Sequence, residues 1–305
     1  MDKLEFEAIE LIDRANKKIA CVGFLDNYIF DCADKKIEDA CDIYVQGANK
    51  YKQCKLYEKA GDILFLCANK SATIKYQETI AIRYHKEAID CYLCLDYNDA
   101  LMAKINVCFD KIMIYYLAAG KFYDAGKLCE LLGDHLKKYN YLDLALINYN
   151  HANKYYDVTI ENKITNPLAQ CMLKQANIYA TMKKYQLAVE KFESASDLYQ
   201  KQNLPLFTNT KIKDIWRDIS ICLSAMNDLV ALKKTFDKYS WLQKDIMRSP
   251  VVKDIEQIIN SFDDLHPTNL NYIMDQFDLH DWRKSALDSV IAIINANEDE
   301  NEDYC

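Results

Sequence analysis

The apolar positions along the chain are dominated by a stripe in which small and aromatic residues alternate at i, i+4, i+7 and i+11. This spacing puts four side chains on one face of a helix and predicts helices buried along that face. Five copies, two of them degenerate, begin 32, 33, 40 and 43 residues apart. The five sets are Ala40, Tyr44, Gly47 and Tyr51; Ala72, Tyr76, Thr79 and Arg83; Ile105, Phe109, Ile112 and Tyr116; Ala145, Tyr149, Ala152 and Tyr156; and Ala188, Phe192, Ala195 and Tyr199.

The spacing of these copies predicts a helical-repeat architecture. Each interval accommodates two helices of about 14 residues and their turns. Small residues let neighbouring helices approach closely while the rings fill the gaps, as in tetratricopeptide-type repeats with a period of about 34 residues. We therefore predict an all-α fold, a tetratricopeptide-like right-handed α-solenoid of about 12–14 helices in hairpins, which ends in a C-terminal helical bundle.

Turn residues divide the predicted helices. Gly120, Gly133 and the pair Asn227–Asp228 stand where helices are expected to end. The four prolines all lie in the second half and mark later boundaries, because the residue before proline disfavours the helix. After Pro250 the stripe gives way to amphipathic segments, which predict a bundle. The predicted regions are a repeat solenoid over 1–244 with an apolar loop at 21–34, a C-terminal helical bundle over 245–297, and an acidic disordered tail over 298–305.

Composition favours helices and places most of the acidic excess at one end. Six glycines and four prolines in 305 residues are too few for the turns of a strand-rich fold. The formal net charge is −8, and residues 245–305 alone carry 14 Asp or Glu against 4 Lys or Arg. Because no basic domain emerges, nucleic acid is not an expected partner. The acidic end instead indicates a surface for a basic protein.

Sequence motifs for catalysis or metal binding do not occur. The chain contains no phosphate-binding loop, nucleophile elbow or zinc-protease motif, and its five histidines lie far apart. The twelve cysteines are scattered, with Cys91 and Cys94 as the one close pair, and most stand where a small apolar residue would serve. We expect buried free thiols, a reducing compartment such as the cytoplasm, no metal, no cofactor and no enzymatic activity.

Several segments resemble the soluble NSF attachment proteins, in their alpha/beta branch. Residues 34–70, DKKIEDACDIYVQGANKYKQCKLYEKAGDILFLCANK, resemble the second and third helices of that family. The segments at 120–136, 144–157 and 183–199 resemble its later repeats, and DQFDLHDWRKSALDSVIAII at 275–294 resembles its terminal helix. The resemblance is collinear over essentially the whole chain.

The resemblance implies an adaptor rather than an enzyme. Members of this family coat a four-helix SNARE bundle of the syntaxin type and recruit a hexameric NSF-type AAA+ ATPase, which pulls the bundle apart after membrane fusion. It implies basic residues on a concave face, although Gln170 stands where the family usually has lysine. It also implies ATPase contacts from the acidic end, with Tyr304 where the family has a penultimate leucine. The implied SNARE-binding residues are Lys121, Lys127, Lys174 and Lys213, and the implied ATPase contacts are Asp275, Asp278, Asp281, Asp288 and Tyr304.

An apolar loop is expected near the start of the chain, because five apolar side chains crowd into seven residues and interrupt the helical periodicity. The resemblance implies that this loop dips into lipid, which gives reversible peripheral membrane contact in the cytoplasm. A loop folded back on the core is the alternative. The side chains are Phe24, Leu25, Tyr28, Ile29 and Phe30.

Two other functions fit the same pattern. One is a helical-repeat scaffold that binds helical partners without recruiting an ATPase. The other is a pathogen- or virus-encoded mimic of the family that binds host SNAREs and does not stimulate the ATPase. Stimulated ATP turnover would distinguish the adaptor from both alternatives, and binding to a SNARE bundle would distinguish the scaffold from the other two.

Overall fold

The structure is a computed structural model that describes residues 3–20, 30–158, 166–201, 207–242, 250–264, 267–278 and 281–302. Within these ranges it contains fourteen helices and no strand, so the all-α prediction is confirmed. None of the helices described is both long and apolar enough to cross a bilayer. The helices are α1 (Lys3–Ala20), α2 (Phe30–Gln53), α3 (Tyr57–Ser71), α4 (Glu78–Tyr92), α5 (Asp99–Ala118), α6 (Phe122–Lys138), α7 (Leu142–Val158), α8 (Asn166–Thr181), α9 (Tyr185–Lys201), α10 (Phe207–Ala225), α11 (Leu229–Leu242), α12 (Pro250–Asp263), α13 (Thr268–Met274) and α14 (Trp282–Glu302).

The chain divides into two compact units, an N-terminal unit (Met1–Leu128) and a C-terminal unit (Cys129–Cys305). In the N-terminal unit each helix from α1 to α5 packs against the next one along the chain. In the C-terminal unit the same sequential packing runs from α7 to α10, after which α10 contacts α11, α12 and α14. The repeat arrangement therefore changes to a bundle around α10. The predicted boundary between 244 and 245 lies outside the described residues.

Five of the helix connections share one turn geometry. In each, the second residue after the helix has a positive φ, and two hydrogen bonds of the Schellman type close the helix end. At Gly120, with φ +66°, the Lys121 N–H donates to the Tyr116 carbonyl at 2.8 Å and the Gly120 N–H donates to the Leu117 carbonyl at 3.2 Å. The prediction of turns at Gly120 and Asn227 is confirmed. The five positive-φ residues are Lys55, Gly120, Asn140, Lys183 and Asn227.

Gly133 is not at a helix end, and that prediction is wrong. It lies within α6, where a Cβ atom would come within 2.7 Å of the Tyr149 ring on α7. Glycine at this position lets the two helices approach until the ring packs against the α6 backbone. The same relation occurs between Gly61 on α3 and Tyr92 on α4, where a Cβ would meet the ring at 2.4 Å.

The alternating stripe is confirmed on α2, α5, α7 and α9, where its residues are buried, apart from a half-buried Phe109. The copy that begins at Ala72 is wrong, because Tyr76 lies in the turn before α4 and is 87% exposed. The buried stripe of α4 has a histidine in an aromatic position, so it does not match the alternation of small and aromatic residues. It consists of Ala81, His85, Ala88 and Tyr92.

The C-terminal helices differ from the predicted regions at one place. The amphipathic segments after Pro250 form three helices, α12, α13 and α14. Helix α14 continues to Glu302, five residues into the predicted disordered tail. Extending an existing helix requires far less free energy than nucleating one, so the acidic run continues the helix that begins at Trp282.

Cysteine burial follows the prediction. The nine cysteines whose side chains the structure describes are all free thiols, and seven of them are buried. Burial raises the pKa of the Cys91 thiol to about 11, which keeps it protonated and unreactive at neutral pH. Cys94, its neighbour in the close pair, is exposed. The two cysteines of this pair therefore occupy different environments.

Candidate partner-binding surfaces

Lys121 and Lys127 lie at the start of α6 in the N-terminal unit. The Lys121 carbonyl accepts the Ala125 N–H, and its ammonium donates to the Tyr115 hydroxyl at 3.4 Å. The Lys127 ammonium lies 5.1 Å from the Tyr123 ring centroid. Neither ammonium has a carboxylate within ion-pair distance in the described part of the chain. Both positive charges are therefore available to an acidic partner.

Lys213 lies on α10 in the C-terminal unit and is half-buried. It also has no ion pair with any described residue. Gln170, where the family usually has lysine, is exposed on α8, and its amide donates to the Asn166 side chain at 3.3 Å.

Lys174 is held by the protein itself. Its ammonium lies 2.6 Å from Glu130 and 2.6 Å from Asp134, both on α6. Partial burial opposes the charge, but the hydrogen bonds to Asp134 and Glu130 outweigh it and raise the pKa of Lys174. Two compensating carboxylates leave little net positive charge for a partner. This environment distinguishes Lys174 from the other three implied lysines.

Tyrosines of the stripe connect the same carboxylates to α7. The Tyr149 hydroxyl donates to Asp134 at 2.6 Å, and the Tyr156 hydroxyl donates to Glu130 at 2.7 Å. Burial and the bond to Asp134 raise the pKa of Tyr149, so it stays protonated and remains a donor. Glu130, Asp134, Tyr149, Tyr156 and Lys174 thus form one cluster across α6, α7 and α8, which we call the C-terminal lysine cluster.

A matching cluster lies in the N-terminal unit across α3, α4 and α5. The Lys104 ammonium lies 3.0 Å from Glu58 and 2.7 Å from Asp62, and the Tyr92 hydroxyl donates to Asp62 at 2.9 Å. Both clusters use the sequence Glu-x-x-Gly-Asp, at 58–62 and 130–134. We call Glu58, Asp62, Tyr92 and Lys104 the N-terminal lysine cluster. The repeated sequence Glu-x-x-Gly-Asp indicates both clusters, whereas the stripe of apolar residues does not include their charged side chains.

The implied membrane loop is largely beyond the described residues. Phe24, Leu25, Tyr28 and Ile29 lie outside them. The structure begins α2 at Phe30, so residues 30–34 of the predicted loop are helical.

The implied ATPase contacts have different surroundings. Asp275 and Asp278 are exposed near the end of α13, and Asp288 is exposed on α14. Asp281 is engaged at the start of α14, where its carboxylate accepts the Arg283 N–H at 2.9 Å and lies 2.9 Å from the Arg283 guanidinium. Asp281 therefore caps the N-terminus of this helix. Tyr304 lies outside the described residues.

Arg283 joins α14 to α10 in a contact that the sequence did not predict. Its guanidinium donates to both Asp218 oxygens, at 2.6 and 2.5 Å, in a bidentate pair. Asp218 is only 4% exposed. Burial raises the pKa of the Asp218 carboxyl, and Arg283 opposes that rise. An aspartate within the apolar stretch IWRDISICLS was the one sequence signal of this contact.

The chemistry of these surfaces is that of binding. No group of three or more His, Cys, Asp or Glu side chains that could hold a metal ion occurs among the described residues. The buried His85 ring contacts Phe65 edge-on at 5.6 Å, and burial lowers its pKa to about 4. A neutral core histidine of this kind supports packing.

The fold defines a class, the all-helical repeat proteins, and charged side chains lie on the surface of its described helices. The family model described as soluble NSF attachment protein, SNAP, matches residues 6–290. The chain belongs to this family. The predicted family is therefore confirmed.

Three relatives illustrate the match. The alpha-soluble NSF attachment protein of Vitis vinifera is 23% identical over 300 residues, which are 96% of this chain and 96% of the relative. The alpha-soluble NSF attachment protein of Homo sapiens is 22% identical over 304 residues and 97% of each chain. A soluble NSF attachment protein homolog of fowlpox virus is 25% identical over 234 residues, 74% of this chain and 75% of its own.

Proposed function

We propose that this protein is a non-enzymatic adaptor that binds SNARE complexes and recruits an NSF-type AAA+ ATPase to disassemble them in vesicle fusion and membrane traffic. The observation that carries the proposal is the family match over residues 6–290. The adaptor acts in the cytoplasm and contacts the membrane peripherally. It binds neither nucleic acid nor a cofactor.

The SNARE bundle, of the syntaxin type, is recognised through lysines whose charge is not already compensated. Lys121, Lys127 and Lys213 have no ion pair among the described residues, whereas Lys174 is paired with two carboxylates at 2.6 Å. The first three therefore supply most of the attraction to an acidic bundle, and Lys174 positions α6 and α8. Charge pairs of this kind contribute steering and register more than affinity.

The ATPase binds the acidic C-terminal end. Asp275, Asp278 and Asp288 are exposed and can face basic domains of the ATPase. Asp281 contributes by fixing the start of the helix that carries Asp288. Tyr304 stands where the family has leucine, and its hydroxyl would be costly to bury without a partner, so this protein binds the ATPase but stimulates it less than a leucine-ended relative does.

The apolar side chains at 24–30 give the protein its peripheral contact with lipid. Each large apolar side chain that enters the bilayer contributes roughly 1.5–3 kcal/mol, while Asp26 and Asp31 oppose contact with anionic lipid. Replacing Phe24, Leu25 and Ile29 by serine should reduce binding to liposomes without changing the melting temperature. A large loss of stability would instead indicate a loop packed on the core.

Charge reversal tests the proposed SNARE contact. The double variant Lys127→Glu/Lys213→Glu should retain its fold and lose affinity for a preformed SNARE bundle, together with the salt dependence of binding. Reversal of two exposed lysines elsewhere, Lys154→Glu/Lys238→Glu, keeps the net charge the same and serves as the matched control. If both double variants lost the same affinity at low salt, the loss would come from net charge alone and the proposed contact would be rejected.

A second candidate is a family mimic that binds SNAREs without stimulating the ATPase. Two observations favour it: Tyr304 replaces the leucine of the family, and a relative belongs to fowlpox virus. Stimulated ATP turnover of the parent protein, Tyr304→Leu and Tyr304→Ala separates the two. The adaptor predicts stimulation that Tyr304→Leu increases without changing ATPase binding. No stimulation by any of the three favours the mimic.

A further inference from the structure

An open groove lies between α3, α4 and α5 in the N-terminal unit. Its volume is about 490 Å³, and most of its lining is apolar. Val107 lines it and is 46% exposed. We call this feature the α3–α5 groove. Its lining residues are Asp62, Phe65, Tyr92, Ala103, Lys104 and Val107.

The groove adjoins the N-terminal lysine cluster, whose counterpart in the C-terminal unit indicates what can cover such a face. There the start of α14 packs beside the cluster, and the Trp282 indole N–H donates to Asn177 at 2.8 Å. Asn177 follows Lys174 by three residues, as Val107 follows Lys104 by three. Trp282 is only 8% exposed, because its ring also packs 6.2 Å from the Phe192 ring on α9, so an aromatic side chain at a helix start is buried at this end of the face.

The α3–α5 groove and the corresponding face at Asn177 differ in polarity, and this difference determines which side chain each can bind. Asn177 offers an acceptor to the indole in the C-terminal unit, whereas Val107 offers only an apolar surface. Phe65 follows Asp62 by three residues, at the place that Lys137 holds after Asp134. The α3–α5 groove is therefore suited to an apolar ring or aliphatic side chain with no need for an acceptor.

Charges around the groove favour a basic neighbour of that side chain. Asp99 and Asp110 are exposed on α5 at i−4 from Ala103 and i+3 from Val107, and therefore lie along the same stripe. Glu58, whose side chain is 63% exposed on α3, and Asp62 share the single charge of Lys104, so this ion-pair group keeps a net negative charge. In the C-terminal unit the residue after Trp282 is Arg283, which pairs with carboxylates.

We propose that the α3–α5 groove docks a helix of a partner protein that begins with a bulky aromatic residue followed by a basic one. The aromatic ring enters between Phe65, Tyr92 and Val107, and the basic side chain lies among the acidic residues at the rim. This goes beyond the proposed function, because it requires neither the SNARE-binding lysines nor the acidic C-terminal end. It adds a second kind of helical partner to the adaptor.

A labelled peptide of residues 281–296, DWRKSALDSVIAIINA, that carries Trp282→Phe and so lacks the indole N–H provides a defined probe with this chemistry. Titrated with the full-length protein, it should give a saturable rise in fluorescence anisotropy. Replacing that phenylalanine by alanine should weaken binding about tenfold or more, since the ring supplies most of the buried area. Hydrogen exchange of the protein should slow within residues 99–110 when the peptide is bound.

Variants of the protein locate the site. Val107→Asp should weaken binding about tenfold or more, because it places a charge in the groove, while the exposed position leaves the melting temperature unchanged. Val230→Asp, at an 81% exposed valine on α11, is the matched control and should bind as the parent does. Absence of saturable binding, or equal binding by Val107→Asp and the parent, would overturn the proposal. Binding lost on Asn177→Ala instead would show that the peptide displaces α14.

Discussion

Lys174 and Lys127 carry the same charge in different surroundings, and this difference decides their roles. Lys174 satisfies two carboxylates that also accept hydrogen bonds from buried tyrosines. Lys127 lies over a tyrosine ring and has no ion pair with a described residue, so in the proposed function its charge attracts the SNARE bundle. A resemblance in sequence assigns both to one surface, because it does not reveal where the carboxylates lie. Lysines of one implied set can therefore be separated only by their contacts.

Removal of each charge tests this distinction. Lys174→Met should lower the free energy of unfolding by about 1–2 kcal/mol, because Glu130 and Asp134 lose their partner while partly buried. Lys127→Met should change it by less than about 0.5 kcal/mol, as is usual for an exposed position. Urea unfolding of both variants measures this. In SNARE binding the order should reverse, with the larger loss in Lys127→Met. The same order in both measurements would contradict the assignment.

His85 makes the stability of the N-terminal unit depend on pH. It is 3% exposed, and burial lowers its pKa to about 4, with Lys111 adding to the effect. The unfolded chain binds the proton near pH 6.5, so this contribution is complete above that pH and is lost as the pH falls towards 4. His85→Phe should reduce the loss of unfolding free energy between pH 7 and pH 5 by about 1–2 kcal/mol.

Chemical denaturation at the two pH values measures that change. His151→Phe, which removes an exposed imidazole on α7, is the control and should keep the pH dependence of the parent. If His85→Phe and the parent lost equal stability on acidification, the buried histidine would not be the cause.

At the scale of elements, the sequence predicts a helix well wherever the buried positions are filled by apolar residues. The stripes of α7 and α9 were found because small and aromatic residues alternate there. The alternation of small and aromatic residues does not reveal the stripe of α4, because His85 takes an aromatic position. The turns at Lys55 and Lys183 also lack a sequence signal, because lysine there adopts the positive φ that glycine or asparagine usually adopts. Gly133 was misassigned because a close helix approach and a helix end require the same residue.

The candidate site was predictable in part for a related reason. The identity of charged residues can be read from the sequence, but their pairing depends on contacts between distant helices. The pair Asp218–Arg283 joins residues 65 positions apart, and Trp282 bonds to a side chain 105 positions away. No periodicity connects such residues. The sequence therefore supplied the candidates, and the packing decided which remain available to a partner.

The attachment of α14 to α10 depends on Arg283. Arg283→Met should lower the free energy of unfolding by about 3 kcal/mol, because Asp218 stays buried without its bidentate partner. Adding Asp218→Asn should recover part of that loss, since the uncompensated charge is removed. Urea unfolding of the single and double variants measures the coupling. Lys284→Met is the control from the same helix turn, and an equal effect there would argue against a specific pair.

At the scale of the whole molecule, charge is distributed unevenly along the chain, as the two partners of the proposed function require. The 61 residues from 245 hold 14 of the 46 acidic residues and only 4 of the 38 basic ones. The preceding residues are close to neutral, and the lysines with free charge lie among them. An acidic bundle and a basic ATPase can therefore associate with different parts of one chain, and salt should weaken both contacts.

Disassembly of a preformed SNARE complex by a purified NSF-type ATPase tests the adaptor most directly. An adaptor function predicts that ATP-dependent disassembly rises with the concentration of this protein. Disassembly should fall strongly when Lys127→Glu/Lys213→Glu replaces the parent protein, whereas Lys154→Glu/Lys238→Glu should be as active as the parent. Disassembly that does not depend on this protein, despite its binding to the SNARE complex, would contradict the adaptor function.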